Sequence, residues 1–304
     1  MPHSTPIRLV ATDLDGTLLT PKHELSPRVE RALRGAIAQG IHIVLATGKS
    51  RAAGVPIIEK LGIPSHGIYL QGLTLYDEVG KLVHEQTLDP DLVRRVITIA
   101  EDRGFGIIAY SANRILVRRR APETDAVLIP FHEPAPEAVG PLQNFAGVLP
   151  LNKLLFVGEA AAISALRWQL GYLIGGAGRL MQAGWPNMLE LLPPGASKGT
   201  MLGRLLDDLS IKPSEVMAIG DAENDLEMVQ LAGVGVAMGN ATQHLKDVAD
   251  FVTTANDQDG VAIALETYIP GLAPATAPAG PVEAEGATVM MPALKPAAPA
   301  EDKS

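Results

Sequence analysis

The sequence has no cysteine, few aromatic residues (4%) and little positive charge, with 25 Lys and Arg against 34 Asp and Glu. Without cysteine there is no disulfide framework, thiol nucleophile or thiolate metal site, and cytoplasmic residence agrees with that. Nowhere does an apolar run reach the roughly 18 residues that a membrane span needs. The N-terminal stretch MPHSTPIRLV has no basic region followed by an apolar core. Neither a standard secretion signal nor a membrane span is therefore expected. A net charge of -9 argues against a sequence-independent grip on nucleic acid, which requires a basic face. The one basic run, Arg118 to Arg120, reads as a solvated strand edge. What the 304 residues do have is 47% hydrophobic content, enough to bury a sizeable core in one large domain or two smaller ones.

Strand and helix signals alternate in the first 70 residues. The apolar run Ile7 to Leu14 is followed by Ser26-Pro27, which supplies an N-cap and a first-turn proline. Val29, Leu33, Ala36 and Ile37 then recur at helical spacing up to Gly40. IHIVLA and GIYLQ follow as further strands, a pattern that predicts parallel strands with helices packed on them. A hairpin around Asp77 to Gly80 interrupts this pattern. Beyond it come a helix capped by Asp89 and Pro90 and stopped by Gly104, the strands GIIAYS, RILVRR and KLLFVG, and a helix from Glu159 to about Tyr172. From Ser197 the first pattern resumes. The expected architecture is an α/β, doubly wound, Rossmann-like parallel sheet core over residues 1–82 and 191–269, split by an inserted α+β unit at 83–190. Residues 270–304 are dominated by Ala and Pro and read as a disordered tail.

Sites in open parallel sheets form beyond the carboxyl ends of the strands. Four stretches are expected there: Asp13 and Asp15 in DLDGTL, Thr47 in ATGK, Ser197 and Lys198 in SKG, and Asp221 to Asp225 in GDAENDLEM. Two aspartates one residue apart at the end of a strand would face the same way and repel unless a cation lay between them. Hard carboxylate oxygens suit Mg2+, and a threonine hydroxyl, glycine N–H groups and a lysine suit a phosphoryl group. Taken singly, each stretch has a bland reading: a turn, a loop, a solvated first-turn lysine, or acids at a helix N-terminus. Those readings fail jointly, because all four must hold while falling on one side of one sheet. ATGKS is not a P-loop, since Ile43 occupies the place of its first glycine, and GGAGRL lacks the third glycine of a dinucleotide fingerprint. The histidines show no ligand spacing.

With those stretches in hand, the chain resembles the haloacid dehalogenase (HAD) superfamily of phosphohydrolases, and within it the Cof-like group with a large inserted α/β cap. The resemblance covers about residues 7 to 268. It implies that Asp13 is the nucleophile, forming an aspartyl-phosphate, and that Asp15 serves as acid and then base. It further implies that Mg2+ is held by the Asp13 carboxylate, the Asp15 main-chain carbonyl and Asp221, with Asp225 in support. Leu14 and Gly48 N–H groups, Thr47, Lys198 and Asn224 would hold the phosphoryl oxygens. The chain departs from the group's pattern at Lys49, where arginine is usual, and at Gln71, where asparagine is frequent.

The expected activity is a Mg2+-dependent phosphatase acting on a small phosphorylated metabolite, with a sugar phosphate first. A hexose-phosphate mutase and a non-catalytic phosphometabolite-binding module are the alternatives. No nucleic acid or membrane partner is expected, and the chain would act as a monomer or small homo-oligomer.

Overall fold

The computed structural model describes residues 5–62 and 66–272. The chain runs β1 (Leu9–Thr12), α1 (Pro27–Ala38), β2 (His42–Ala46), α2 (Arg51–Leu61), β3 (Gly67–Tyr69), β4 (Thr74–Tyr76) and β5 (Leu82–Glu85). It continues with α3 (Pro90–Glu101), β6 (Gly106–Ser111), β7 (Arg114–Val117), α4 (Pro122–Leu128), β8 (Glu137–Ala138), β9 (Lys153–Val157), α5 (Ala160–Ile174), β10 (Arg179–Gln182) and β11 (Met188–Leu192). The last part is α6 (Lys198–Leu209), β12 (Val216–Gly220), α7 (Leu226–Leu231), β13 (Val234–Ala237), α8 (Gln243–Val248), β14 (Phe251–Val252) and α9 (Gly260–Tyr268). Local signals explain many of the helix starts. In α1 the Ser26 hydroxyl accepts from Val29 N at 3.2 Å and Pro27 opens the helix, while Val29, Ala32, Leu33 and Ala36 form its buried stripe.

The strands form two sheets. The first has the order β14-β13-β12-β1-β2-β3-β4-β5 and is parallel from β14 to β3, with β4 and β5 added antiparallel. This is the doubly wound, Rossmann-like α/β core. Its register sets Thr12 level with Ile219 on one side and Leu45 on the other. The chain therefore leaves β1, β2 and β12 at neighbouring points along one edge. The second sheet has the order β10-β11-β9-β6-β7-β8 and is antiparallel except for β7 and β8. One of its faces packs on α3 and α5 through Leu92, Val96, Phe156, Leu166 and Leu170. The other meets Tyr69, Leu70, Leu73 and Tyr76 of the first unit.

The boundaries differ from the sequence reading. A break at 82/83 falls inside β5, which belongs to the first sheet, and a break at 190/191 falls inside β11, which belongs to the second. At the other end, Ile269 is buried, Leu272 packs on the core, and Gln39 donates to the Pro270 carbonyl at 3.1 Å. The packed chain thus extends to Leu272 rather than stopping at 269. The rest of the expected tail, 273–304, lies outside the described residues. Helix α4, which the sequence analysis does not predict, buries Val127 and Leu128 against the second sheet. Among the described residues no helix is long and apolar enough to cross a membrane.

Candidate active site

Strand β1 is wholly buried and ends at Thr12, so Asp13 is the first residue to emerge from the sheet, and its N–H still donates to the Ile219 carbonyl at 3.0 Å. Lys198 comes to meet it from the first turn of α6, a helix capped by the Ser197 hydroxyl, which accepts from Thr200 N at 3.0 Å and also donates to the Glu227 carboxylate. The lysine is 1% exposed, and its ammonium lies 2.8 Å from Asp13 Oδ1 and 2.6 Å from Asp225 Oδ1. The other oxygen of Asp225 accepts from the Asp221 and Ala222 N–H groups at 2.9 and 3.0 Å, which fixes the turn after β12. Thr17 donates to Asp221 Oδ1 at 2.7 Å. Two glycines allow this approach. At Gly16 (φ +77) a methyl group would overlap the Asp221 carboxylate, and at Gly72 (φ +90) it would overlap the Ser197 carbonyl.

The electrostatics are those of a site with too few cations. Burial pushes the Asp13 carboxyl up to about 8; Lys198 opposes the rise, and Asp225 and Asp221 add to it. Asp221 is raised to about 6, by burial and then by Asp225, against the Thr17 hydrogen bond and Lys198. Burial alone would lower Lys198, but Asp13 and Asp225 hold it above its ordinary value, so it stays charged. Asp13, Asp221 and Asp225 each bring a carboxylate oxygen within 4.8 Å of the other two. Three crowded hard oxygen donors, two buried and Asp221 half-buried, fit Mg2+, whose charge would remove the penalty that raises Asp13 and Asp221.

The Asp15 carboxylate is not part of that group, although the sequence suggested that it would face the same way as Asp13. Because β1 has already ended, strand alternation no longer applies. Asp15 Oδ1 instead takes the Lys49 ammonium at 2.8 Å and lies 3.1 Å from His23 Nδ1. Each aspartate therefore has its own lysine, Lys198 for Asp13 and Lys49 for Asp15.

Thr47 follows β2 and is 1% exposed, and its hydroxyl oxygen accepts from Lys49 N at 3.2 Å. Gly48 lies beneath the Gln71 side chain, so a methyl group there would overlap the Gln71 amide. Asn224 spends one amide hydrogen on Gln71 Oε1 at 3.0 Å, which leaves the other for a ligand. Leu14 is fully buried beside Asp13. Asp13, Asp15, Thr47, Gly48 and Asn224 all line a cleft of about 610 Å³, whose far wall comes from the second sheet, α4 and the turn after it through Tyr110, Val127, Phe131, Met181 and Met188.

Sequence reasoning missed Lys153, Glu190 and Glu133, all of which line this cleft. Lys153 Nζ lies 2.5 Å from Glu190 Oε1, and Glu190 Oε2 accepts from Gln71 Nε2 at 3.2 Å. For Lys153 and Glu190 the signal was available, since each is the single charge of an otherwise apolar strand, KLLFV and MLELL, and two such charges of opposite sign invite pairing.

Hydroxyl and amide donors sharing a cleft with buried carboxylates, at the strand ends of a parallel sheet and under a second sheet, point to a class of phosphate-handling α/β enzymes. The family model for haloacid dehalogenase-like hydrolase matches residues 10–265, and the chain belongs to that family. It is 33% identical over 280 residues to Phosphatase YwpJ of Bacillus subtilis (strain 168), covering 84% of this chain and 98% of that one. It is 35% identical over 266 residues to "Endoribonuclease YBEY, chloroplastic" of Arabidopsis thaliana, but spans only 45% of that protein's length. A crystal structure of a haloacid dehalogenase-like hydrolase from Bacteroides thetaiotaomicron superposes with a TM-score of 0.79 at 31% identity, over 86% of this chain and 98% of the other. Within the family this is a Cof-like phosphohydrolase, a phosphoric monoester hydrolase.

Proposed function

We propose that the chain is a Mg2+-dependent phosphatase that cleaves a small phosphorylated metabolite through an aspartyl-phosphate on Asp13. The observation that carries this reading is the grouping of Asp13, Asp221 and Asp225 by the buried Lys198, with Thr47 lining the same cleft as Asp13. Mg2+ would be held by the Asp13 and Asp221 carboxylates and the Asp15 carbonyl, with Asp225 in support, and would supply positive charge to a phosphoryl oxygen. Thr47, the Leu14 and Gly48 N–H groups, the remaining hydrogens of Lys198 and the free amide hydrogen of Asn224 would orient the phosphoryl group. Asp13 attacks phosphorus, and the bond to the leaving oxygen breaks as Asp15 gives that oxygen a proton. Asp15 then takes a proton from the water that attacks the phosphoenzyme, which frees inorganic phosphate and regenerates Asp13.

The insertion, residues 83–190 in the sequence reading, serves in this proposal as the cap that reads the rest of the substrate. Its polar groups at the cleft, Glu133, Arg167, Arg179 and Gln182, support a hydroxylated leaving group such as a sugar. Phe131, Met181 and Met188 on the same wall favour a second reading, a phosphorylated planar ring. A mutase would need a second phosphate site on the insertion, for which Arg114 and Arg118 to Arg120 are the obvious cations; Arg114, Arg118 and Arg120 form surface ion pairs with Glu137, Glu101 and Asp125, and none of the four lines the cleft. Hydrolysis is thereby favoured over isomerisation, and release of inorganic phosphate without a bisphosphate activator tests that choice. Exchanging the insertion for a relative's should change the substrate profile while activity on an aryl phosphate survives; an unchanged profile refutes the cap assignment.

The two aspartates separate in one experiment. After mixing with acetyl phosphate, whose leaving group needs no proton, Asp15→Asn should carry phosphate mass on Asp13, while Asp13→Asn should carry none. General acid–base groups contribute about 10²–10⁴-fold, so turnover of an alkyl phosphate by Asp15→Asn should fall by that order. Phosphate on both variants would show that Asp13 is not the nucleophile.

A further inference from the structure

The second sheet touches the loop that carries Thr47 through a charged group that none of the roles above uses. Lys153, in β9, is 3% exposed, and besides Glu190 its ammonium donates to the Gly48 carbonyl oxygen at 3.0 Å. The Tyr110 ring centroid lies 4.5 Å from the same nitrogen. The peptide unit whose oxygen Lys153 holds ends in the Lys49 N–H, and that N–H is the one that donates to Thr47 Oγ1. A hydroxyl oxygen that accepts there must turn its own hydrogen elsewhere, and Thr47 lines the cleft. A continuous chain of donors thus runs from the Lys153 ammonium through the 48–49 peptide to the Thr47 hydroxyl. Glu133 grips the far side of the same loop, accepting from Ser50 N at 2.9 Å and from the Ser50 hydroxyl at 2.5 Å.

We infer that Lys153 is a positioning residue: it holds and polarises the 48–49 peptide and so aims the Thr47 hydroxyl at a phosphoryl oxygen. The inference rests on the reading of Thr47 as a phosphate donor. Hydrogen bonds in series strengthen one another, and one from a buried ammonium is stronger than one between neutral groups. An ion pair that only filled space would be replaceable by neutral groups at little cost. Here one end of the pair is bonded to the loop itself, so its loss should be felt in phosphate binding. Seating of the second sheet on the first would at the same time complete the donor set, which links closure of the cleft to its grip on phosphate.

Lys153→Met alone would strand Glu190, so the test uses the neutral pair Lys153→Met with Glu190→Gln, in which residue 190 still accepts from Gln71. This double substitution is made in the natural background and in a Thr47→Val background. Two quantities are read with Mg2+ present: kcat/KM on an aryl phosphate, and the Kd for inorganic phosphate by calorimetry. In the natural background the double substitution should weaken both on the order of 10-fold, and in the Thr47→Val background by less than about 2-fold, because the hydroxyl it acts through is gone. Equal losses in the two backgrounds, or no loss in the natural one, would overturn the inference and leave Lys153 a structural ion pair. Absence of phosphate release by the unmodified chain would count against the phosphatase reading, with the phosphate Kd values still deciding the Thr47 coupling. Failure of inorganic phosphate to bind the unmodified chain would overturn both.

Discussion

Lys198→Met removes the one ammonium that two buried carboxylates share. The lysine is 1% exposed, 2.8 Å from Asp13 and 2.6 Å from Asp225, so methionine fills its volume but leaves two acids facing each other without a counter-ion. Removing one partner of a buried ion pair costs about 3–5 kcal/mol. Two features bring the cost toward the lower end. Asp225 keeps its two backbone donors at 2.9 and 3.0 Å, and Asp13, already raised to about 8, can hold a proton instead of a charge. At about 2–4 °C per kcal/mol for a fold of this size, a loss of ~3 kcal/mol lowers Tm by about 6–12 °C. Scanning calorimetry of the Mg2+-free protein at pH 8 and pH 5.5 checks this, and the deficit should shrink at the lower pH, where Asp13 is protonated in both proteins. Lys49→Met is the control. Asp15 is 27% exposed, so losing its lysine should cost only about 1 kcal/mol. A Lys198→Met deficit below about 1 kcal/mol, or one equal at both pH values, would refute the placement of Lys198 as the counter-ion of the site.

Stability of the Mg2+-free protein should fall as pH rises between about 4 and 8. The folded state keeps a proton on Asp13 over that window while the unfolded chain, with its carboxyl near 3.8, has released it, so unfolding gives up a proton. In the proposed site Mg2+ would compete for the same oxygens, so its stabilising shift in Tm should be larger at pH 8.5 than at pH 5.5; a shift independent of pH would place the ion elsewhere. Truncation after Leu272 should leave Tm and turnover unchanged, because the Ala- and Pro-rich composition of 273–304 offers little apolar surface to offset an ordering cost of about 1–2 kcal/mol per residue. Truncation after Ile269 should lower Tm by a few degrees, since it removes the Leu272 contact and the Gln39 bond to Pro270, and equal Tm values for the two truncations would contradict that packing.

The parallel half of the fold was readable because its strands are continuous apolar runs and several of its helices carry caps. Ser26-Pro27 marks a helix start there within one residue of where it lies, as Asp89-Pro90 does for α3 on the second sheet. Helix α4 escaped because seven residues that open on proline look the same as a loop, and α9 because the apolar run in GVAIALETY has no period and its cap residue Asp259 makes no side-chain cap bond. In the site, Asp13, Thr47 and Asp221 stood out because each lies in a short motif at a strand end, and Lys198 because SKG opens a helix. Lys49 as the partner of Asp15, and Lys153 as the partner of Gly48, did not. Those contacts join residues 34 and 105 positions apart, and only the packing of one sheet on the other brings the second pair together.

Strand β1 lies between β2, which follows within 40 residues, and β12, whose Val216 pairs with Leu9 from about 200 residues further along the chain. During synthesis, therefore, β1 to β5 can form while the central strand of the sheet still has an open edge of unpaired backbone. That edge waits through translation of the whole second sheet, at roughly 5–20 residues per second. An unpaired apolar edge of this kind invites wrong pairing with other nascent chains, and the long sequence separation slows its correct closure. Lys198, Asp221 and Asp225 arrive with the same late segment that covers the edge. The order of synthesis thus acts as a safeguard: no shortened product ending before β12 holds both Asp13 and the Asp221 and Asp225 carboxylates that group with it, so the candidate site is complete only when the sheet is closed.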